Sequence, residues 1–364
     1  MMQTVTPHSI SRSAALCARV LRSAVAVVLF TGMPVLAQEA THQPIVQKPN
    51  LPRLASSVLA ITPPAERVSG TPGSLRIVER SCRSTLPSGV RERIVHTAVQ
   101  EWAWFGFLVD DLRMEAPAPA DPTARPRWRL PLNPAEVLQV ADTVGGYWAA
   151  TPGSDWIVDR QNDAWRQPDG LSSRWRDPWS AAFISWVMCE SGLDEDAEFQ
   201  RAIAHHSYID QAIRARDSGD TTAAYHAYEP GEAEVSPGDM LCNGLRPLYR
   251  SLQQRRAQLG EGARTHCDIV VQVDPDAGHI LTIGGNVRAS VRMKIHAAGS
   301  TGAGPYLAPV QGQRPVFAHL KLRAAATDTA PLLHSPSLQQ LGCSMPSAPV
   351  TFAALGLELT ASTC

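Results

Sequence analysis

Asp177–Gly192 reads DPWSAAFISWVMCESG. Trp179, Ala182, Phe183, Trp186 and Val187 recur at helical spacing, so the stretch predicts an α-helix. Asp177 suits the N-cap, Pro178 the first helical position, and Gly192 the stop just past the end. Ala181, Ile184 and Met188 make the remaining faces apolar, which predicts burial nearly all round. The first turn of this buried helix carries Ser180, and the function turns on what that hydroxyl does.

Working outward, a helix is expected over about Val90–Val109, with Ile94, Val95, Ala98, Val99, Trp102 and Phe105 inward. Asn133-Pro134 repeats the cap-plus-proline entry and leads a second helix to Trp148. Residues 150–176 are polar and read as a solvated loop, with Asp155, Asp159, Asp163 and Asp169 in water. All nine tryptophans lie between Trp102 and Trp186, which fits a tryptophan-rich core better than a sugar-stacking surface. A helix over about Asp196–Arg216 would put His205-His206 in its middle. There His205 shares a face with Tyr208, Ile209 and Ala212, either as a hydrogen-bonded core histidine or as a substrate contact.

From Ser236 the period becomes strand-like. Asp268–Val273, His279–Ile283, Val291–Ile295 and Val316–Leu322 are candidate strands, the first two joined as a hairpin. Helices first and an antiparallel sheet second give an α+β class, with the buried helix packed on the sheet. The expected organisation is a signal peptide over 1–37, a linker or loosely packed arm over 38–87, one α+β domain over 88–323 and a C-terminal tail over 324–364.

The signal reading rests on Arg12, Arg19 and Arg22 before an apolar stretch and on Val35-Leu36-Ala37 before Gln38. Cleavage near Ala37 implies a periplasmic or secreted chain, and no later stretch is long and apolar enough to span a bilayer. The signal holds three arginines and no acidic residue, so 33 basic and 34 acidic residues become 30 and 34 after cleavage. That balance offers nothing to a nucleic acid. Six cysteines remain (Cys82, Cys189, Cys242, Cys267, Cys343 and Cys364), and an even number in an exported chain favours disulfides. Cys242, after PGDML, and Cys267, at the start of the next strand, are expected to face each other. Cys343 and Cys364 are candidates to tether the tail.

Three stretches carry candidate chemistry: PWSAAFISWV with Ser180, THCDIVVQV with His266 opening a strand, and HILTIGGNV with Asn286 after two glycines. A nucleophile on a helix N-terminal turn gains from the positive end of the dipole. A histidine on a facing strand accepts its proton, and an Asn or Asp fixes the imidazole tautomer. Trp179, Asp268, His205 and Tyr208 are candidate substrate contacts. His205, His206, His266 and Asp268 lack metal-site spacing, and the Gly284-Gly285 pair is not a phosphate loop, so neither metal nor cofactor is expected.

PWSAAFISWV, SPGD, HCDIVV and GGNV, in that order, resemble the NlpC/CHAP group of papain-like cell-wall hydrolases, whose small members carry WCAAF, GD, HVG and GGNQ. Over about residues 86–323, EWAWFG, WSAAFISWVM, HHSYI, PGDMLC, HCDIVV and GGNV resemble the bacterial domain-of-unknown-function family 2272 more closely. The resemblance implies a papain-like fold with extra N-terminal helices. It places Ser180 at the cysteine nucleophile, His266 at the base and Asn286 at the orienter, with Val287 replacing the glutamine. A thiol is intrinsically nucleophilic, whereas a serine hydroxyl needs a well-aligned base and an oxyanion hole. Two functions are implied: cleavage of peptidoglycan amide or peptide bonds, or an inactive cleft that binds a cell-wall peptide, glycan or envelope protein.

Overall fold

The periodicity of Asp177–Gly192 yields a helix in which every residue from Ser180 to Glu190 is buried. The computed structural model describes residues 51–83, 89–113, 134–302, 304–307, 314–326 and 330–344, with 350–352, 355 and 357–359. The signal segment expected over 1–37 and Cys364 lie outside the described residues.

In chain order, α1 (Ser56–Leu59), a 3-10 turn (Pro64–Arg67), β1 (Val68–Ser69) and β2 (Arg76–Ile77) come first. There follow α2 (Val90–Trp104), β3 (Val109–Asp111), α3 (Pro134–Ala149), α4 (Asp155–Trp165), α5 (Ser180–Glu190) and α6 (His205–Ser218). The second half runs β4 (Tyr225–Tyr228), β5 (Met240–Arg246), α7 (Leu252–Arg256), β6 (Arg264–Asp274), β7 (His279–Val287) and β8 (Ser290–Thr301). It closes with β9 (Gly304–Leu307), β10 (Val316–Leu322), α8 (Pro336–Ser344), β11 (Val350–Phe352) and β12 (Leu357–Leu359).

The class is α+β. The main sheet has the order β3-β8-β7-β6-β5-β10-β4, with β9 paired to β8. Its pairings are antiparallel except β3 with β8. Helix α5 lies against β6 and β7 on one side and against α2 and α3 on the other. An apolar surface on all its faces is therefore consumed by sheet and helices together, which is why the stretch shows so little amphipathicity. Trp102, Trp148, Trp165, Trp179 and Trp186 are buried, as a tryptophan core requires.

Several local expectations are corrected. Helix α5 starts at Ser180, and Asp177 pairs with Arg160 instead of capping it. The first long helix ends at Trp104, where Gly106 and Phe107 turn left-handed and the chain enters β3. The polar stretch 150–176 contains α4: its acids face water, while Ile157, Val158, Gln161 and Trp165 face inward at helical spacing. Helix α6 begins only at His205, so the histidine pair stands at its N-terminus. The tail expected without strong elements holds α8 and the β11–β12 hairpin.

Residues 51–83, expected within a linker or loose arm, are packed. Leu59, Ile61, Val68 and Leu75 are buried. Buried Arg67 pairs with Glu190 at the end of α5, and the Thr62 N–H donates to the same carboxylate at 2.9 Å. Cys82 is disulfide-bonded to Cys189. Removing one partner of a buried ion pair typically costs about 3–5 kcal/mol, so Arg67 and the disulfide fasten this segment to the central helix.

Candidate functional site

Two elements bring the candidate residues together. Helix α5 presents Ser180 from its first turn, and β6 carries His266, Cys267 and Asp268 in succession. Side chains alternate across a strand, so His266 and Asp268 share one face and Cys267 takes the other. Cys267 there bonds to Cys242 on β5, its Cα partner, with a Cα–Cα separation of 4.1 Å. The expected pairing is present, and neither Cys189 nor Cys267 offers a thiol to the site. Cys343 is also disulfide-bonded.

On the opposite face His266 Nε2 donates to Asp268 Oδ1 at 2.9 Å. Lys294, from β8, sets its ammonium 2.8 and 2.7 Å from the two carboxylate oxygens and 3.3 Å from His266 Nε2. Burial opposes the charge of Asp268, but the Lys294 ammonium and His266 outweigh it and hold the carboxyl well below the usual range. Asp268 is thus a buried anion fixed by two partners, and it is hydrogen-bonded to His266, while Asn286 lines the cleft described below.

Ser180 Oγ lies 2.7 Å from His205 Nε2. The other ring nitrogen, Nδ1, meets the Tyr208 hydroxyl and, at 3.3 Å, the backbone N–H of Cys267. The His205 and His266 rings have centroids 5.2 Å apart. Burial pushes His205 well below the ordinary histidine range, helped by the neighbouring His266, and pushes the Tyr208 phenol up. His205 and Tyr208 are therefore interior groups, and Ser180 sits beside the His205 imidazole. Among the described residues its hydrogen bond goes to His205 and none joins it to His266.

Beside the N-terminal end of α5 opens a cleft of about 220 Å³, lined by Val140, Val144, Arg174, Trp175, Trp179, Asn286 and Ala289. Trp179 and Asn286 are the two expected residues that reach it. Asn286, Arg288 and Ala289 all have positive φ, of 56°, 51° and 63°. Arg288-Ala289 forms the two-residue hairpin between Val287 and Ser290, and left-handed values at both centres suit such turns. Left-handed backbone at an alanine is strained, and such strain concentrates at functional rims.

The two glycines before Asn286 make the close packing possible. A methyl carbon at Gly284 would overlap Asp268 Oδ1, and one at Gly285 would lie 2.5 Å from Phe183 Cβ on α5. Reading the sequence did not single out Lys294, and nothing in RMKIH marks it beyond strand alternation. The role of Asp268 was available from its two-residue spacing to His266 on a strand.

Residues 137–313 match the model of the family described as "Uncharacterized protein conserved in bacteria (DUF2272)". No curated protein matches, and no solved structure matches. Among the described residues no helix is long and apolar enough to cross a membrane, and the disulfides fit an oxidising compartment outside the cytoplasm.

Proposed function

We propose that this chain is an exported cell-envelope hydrolase on a papain-like plan, cleaving amide or peptide bonds of peptidoglycan with Ser180 as nucleophile and His266 as base. The observation that supports the reading is the His266–Asp268–Lys294 arrangement, whose imidazole lies 5.2 Å, centroid to centroid, from the His205 ring that is hydrogen-bonded to Ser180. Asp268 accepts the hydrogen bond of His266 Nε2–H, which leaves the Nδ1 lone pair to accept a proton from a nucleophile. In the first step Ser180 Oγ bonds to the carbonyl carbon, its proton passes to His266, and the leaving amine departs with that proton. Water then hydrolyses the ester by the same route and frees Ser180. Trp179 and the cleft at the helix end supply an apolar wall for the substrate, and the first-turn N–H groups of α5 favour the developing oxyanion.

Fragment analysis after incubating the oxidised mature protein with peptidoglycan tests this. Products from wild type that disappear in Ser180→Ala and His266→Ala support it; products undiminished in Ser180→Ala refute it. A second reading is favoured by the Ser180 hydrogen bond going to His205: the cleft binds cell-wall peptide or glycan without cleaving it. In that case wild type yields no products, yet both it and Ser180→Ala sediment with peptidoglycan.

A further inference from the structure

The pair closest to being a nucleophile and its base is Ser180 with His205, at 2.7 Å. Their hydrogens nonetheless run the wrong way for that chemistry. Strand β7 pairs with β6 from Ile269 onward, so beyond that point the Cys267 N–H finds His205 Nδ1 instead of a strand partner. A backbone N–H can only donate. Its approach makes Nδ1 an acceptor, and the Tyr208 hydroxyl, meeting the same nitrogen, must donate as well. A neutral imidazole carries one hydrogen, which therefore resides on Nε2 and points at Ser180 Oγ.

We propose that His205 is a positioning residue: locked as the Nε2–H tautomer by Tyr208 and the Cys267 N–H, it donates to Ser180 Oγ and leaves the serine's own hydrogen for an acceptor other than itself. This rests on the hydrolase reading above and deepens it. A hydroxyl oxygen has two lone pairs and one hydrogen. His205 occupies one lone pair, the second remains for attack, and the hydrogen is left for a base other than His205. Burial keeps His205 neutral, and the charged or titratable groups around it are His266, Asp268, Lys294 and His206.

The tautomer is read by nitrogen-15 NMR of the whole oxidised mature protein, with the His205 ring signals assigned by their loss in His205→Gln. The expected spectrum has a neutral, Nε2-protonated ring throughout about pH 5 to 8. A ring protonated on Nδ1, or one that gains a second proton in that range, overturns the proposal. The kinetic arm uses peptidoglycan cleavage. His205→Ala is expected to lower kcat about 10²-fold with little change in KM, the scale for removing one preorganised donor. His205→Gln, whose side-chain amide also donates, is expected to stay within about tenfold of wild type and to keep the acid limb of the pH profile. A glutamine variant as inactive as the alanine one, or an acid limb lost with His205, makes His205 the base and overturns the proposal. Wild type without activity refutes the hydrolase reading alone; the NMR result then decides the tautomer separately.

Discussion

Gly284→Ala perturbs the site sharply while leaving the chemical identity of each candidate residue unchanged. The backbone there is not left-handed, so the cost is spatial and not conformational. The new methyl would overlap Asp268 Oδ1 and stand 3.0 Å from Asp268 Cγ and 3.2 Å from His266 Nε2. Carbon atoms in contact prefer about 3.5–4.0 Å, so the carboxylate must retreat by at least about half an ångström. It has nowhere to go, because Lys294 holds it at 2.8 and 2.7 Å and His266 at 2.9 Å. Overpacking costs about 1–3 kcal/mol, and separating a buried charge pair about 3–5, so a loss of about 3 kcal/mol is expected. Urea unfolding followed by tryptophan fluorescence measures it, with Gly262→Ala as control: that site has nothing within 4 Å, and the change there should be neutral or stabilise by up to about 1 kcal/mol. In an Asp268→Ala background the clashing carboxylate is gone, and the Gly284→Ala penalty should shrink by more than about 1 kcal/mol. A Gly284→Ala protein within about 0.5 kcal/mol of wild type, or a penalty unchanged in the double variant, refutes the reasoning.

Acid should weaken the fold before its carboxylates titrate. His205 and His296 are both held below the ordinary range by burial, His296 to about 4. The unfolded chain protonates them near pH 6.5, so it binds more protons than the folded chain below that value, and stability falls as pH drops from about 6.5 toward 4. At about 1.4 kcal/mol per pH unit, discounted for partial exposure, His296 contributes about 2 kcal/mol, visible as a lower urea midpoint at pH 4.5 than at pH 7. Of the two disulfides with both ends among the described residues, Cys82–Cys189 closes 107 residues and Cys242–Cys267 closes 25. Loop entropy then assigns them about 4.8 and 3.5 kcal/mol, so Cys82→Ser with Cys189→Ser should cost more than Cys242→Ser with Cys267→Ser; the reverse order would contradict it. Ser180→Cys should lower cleavage of peptidoglycan, because the 2.7 Å approach of His205 Nε2 is spaced for oxygen and crowds the larger sulfur; a more active cysteine variant would mean the serine is a remnant.

The class and most strands were legible because period changes are local. Helical spacing over Trp179–Val187 and β-branched runs over Asp268–Val273 report their own burial. What escaped was set by distant partners. Helix α4 hides because its inward face mixes Gln161 and Asn162 with Ile157 and Val158, and Asn162 is satisfied by the backbone of Leu75, far earlier in the chain. The packing of residues 51–83 depends on Arg67 reaching Glu190, a pairing that no spacing announces. The start of α6 mattered most. A helix from Asp196 would bury His205 in mid-helix, whereas starting at His205 delivers its ring to Ser180.

The dipeptide Gly284-Gly285 ties these observations to one cause. Adjacent residues on a strand face opposite ways, so the two missing side chains clear two different neighbours. Gly284 admits Asp268 and His266 from the neighbouring strand, and Gly285 admits Phe183 from α5. One short segment of β7 therefore sets both the depth of the helix that bears Ser180 and the lateral position of the aspartate that orients His266. The register between β7 and β8 breaks just after Gly284, and the chain turns left-handed at Asn286, so the rim of the cleft begins where this close packing ends. The close approach of the aspartate to one face of β7 and of α5 to the other thus depends on the two residues that have no side chain at all.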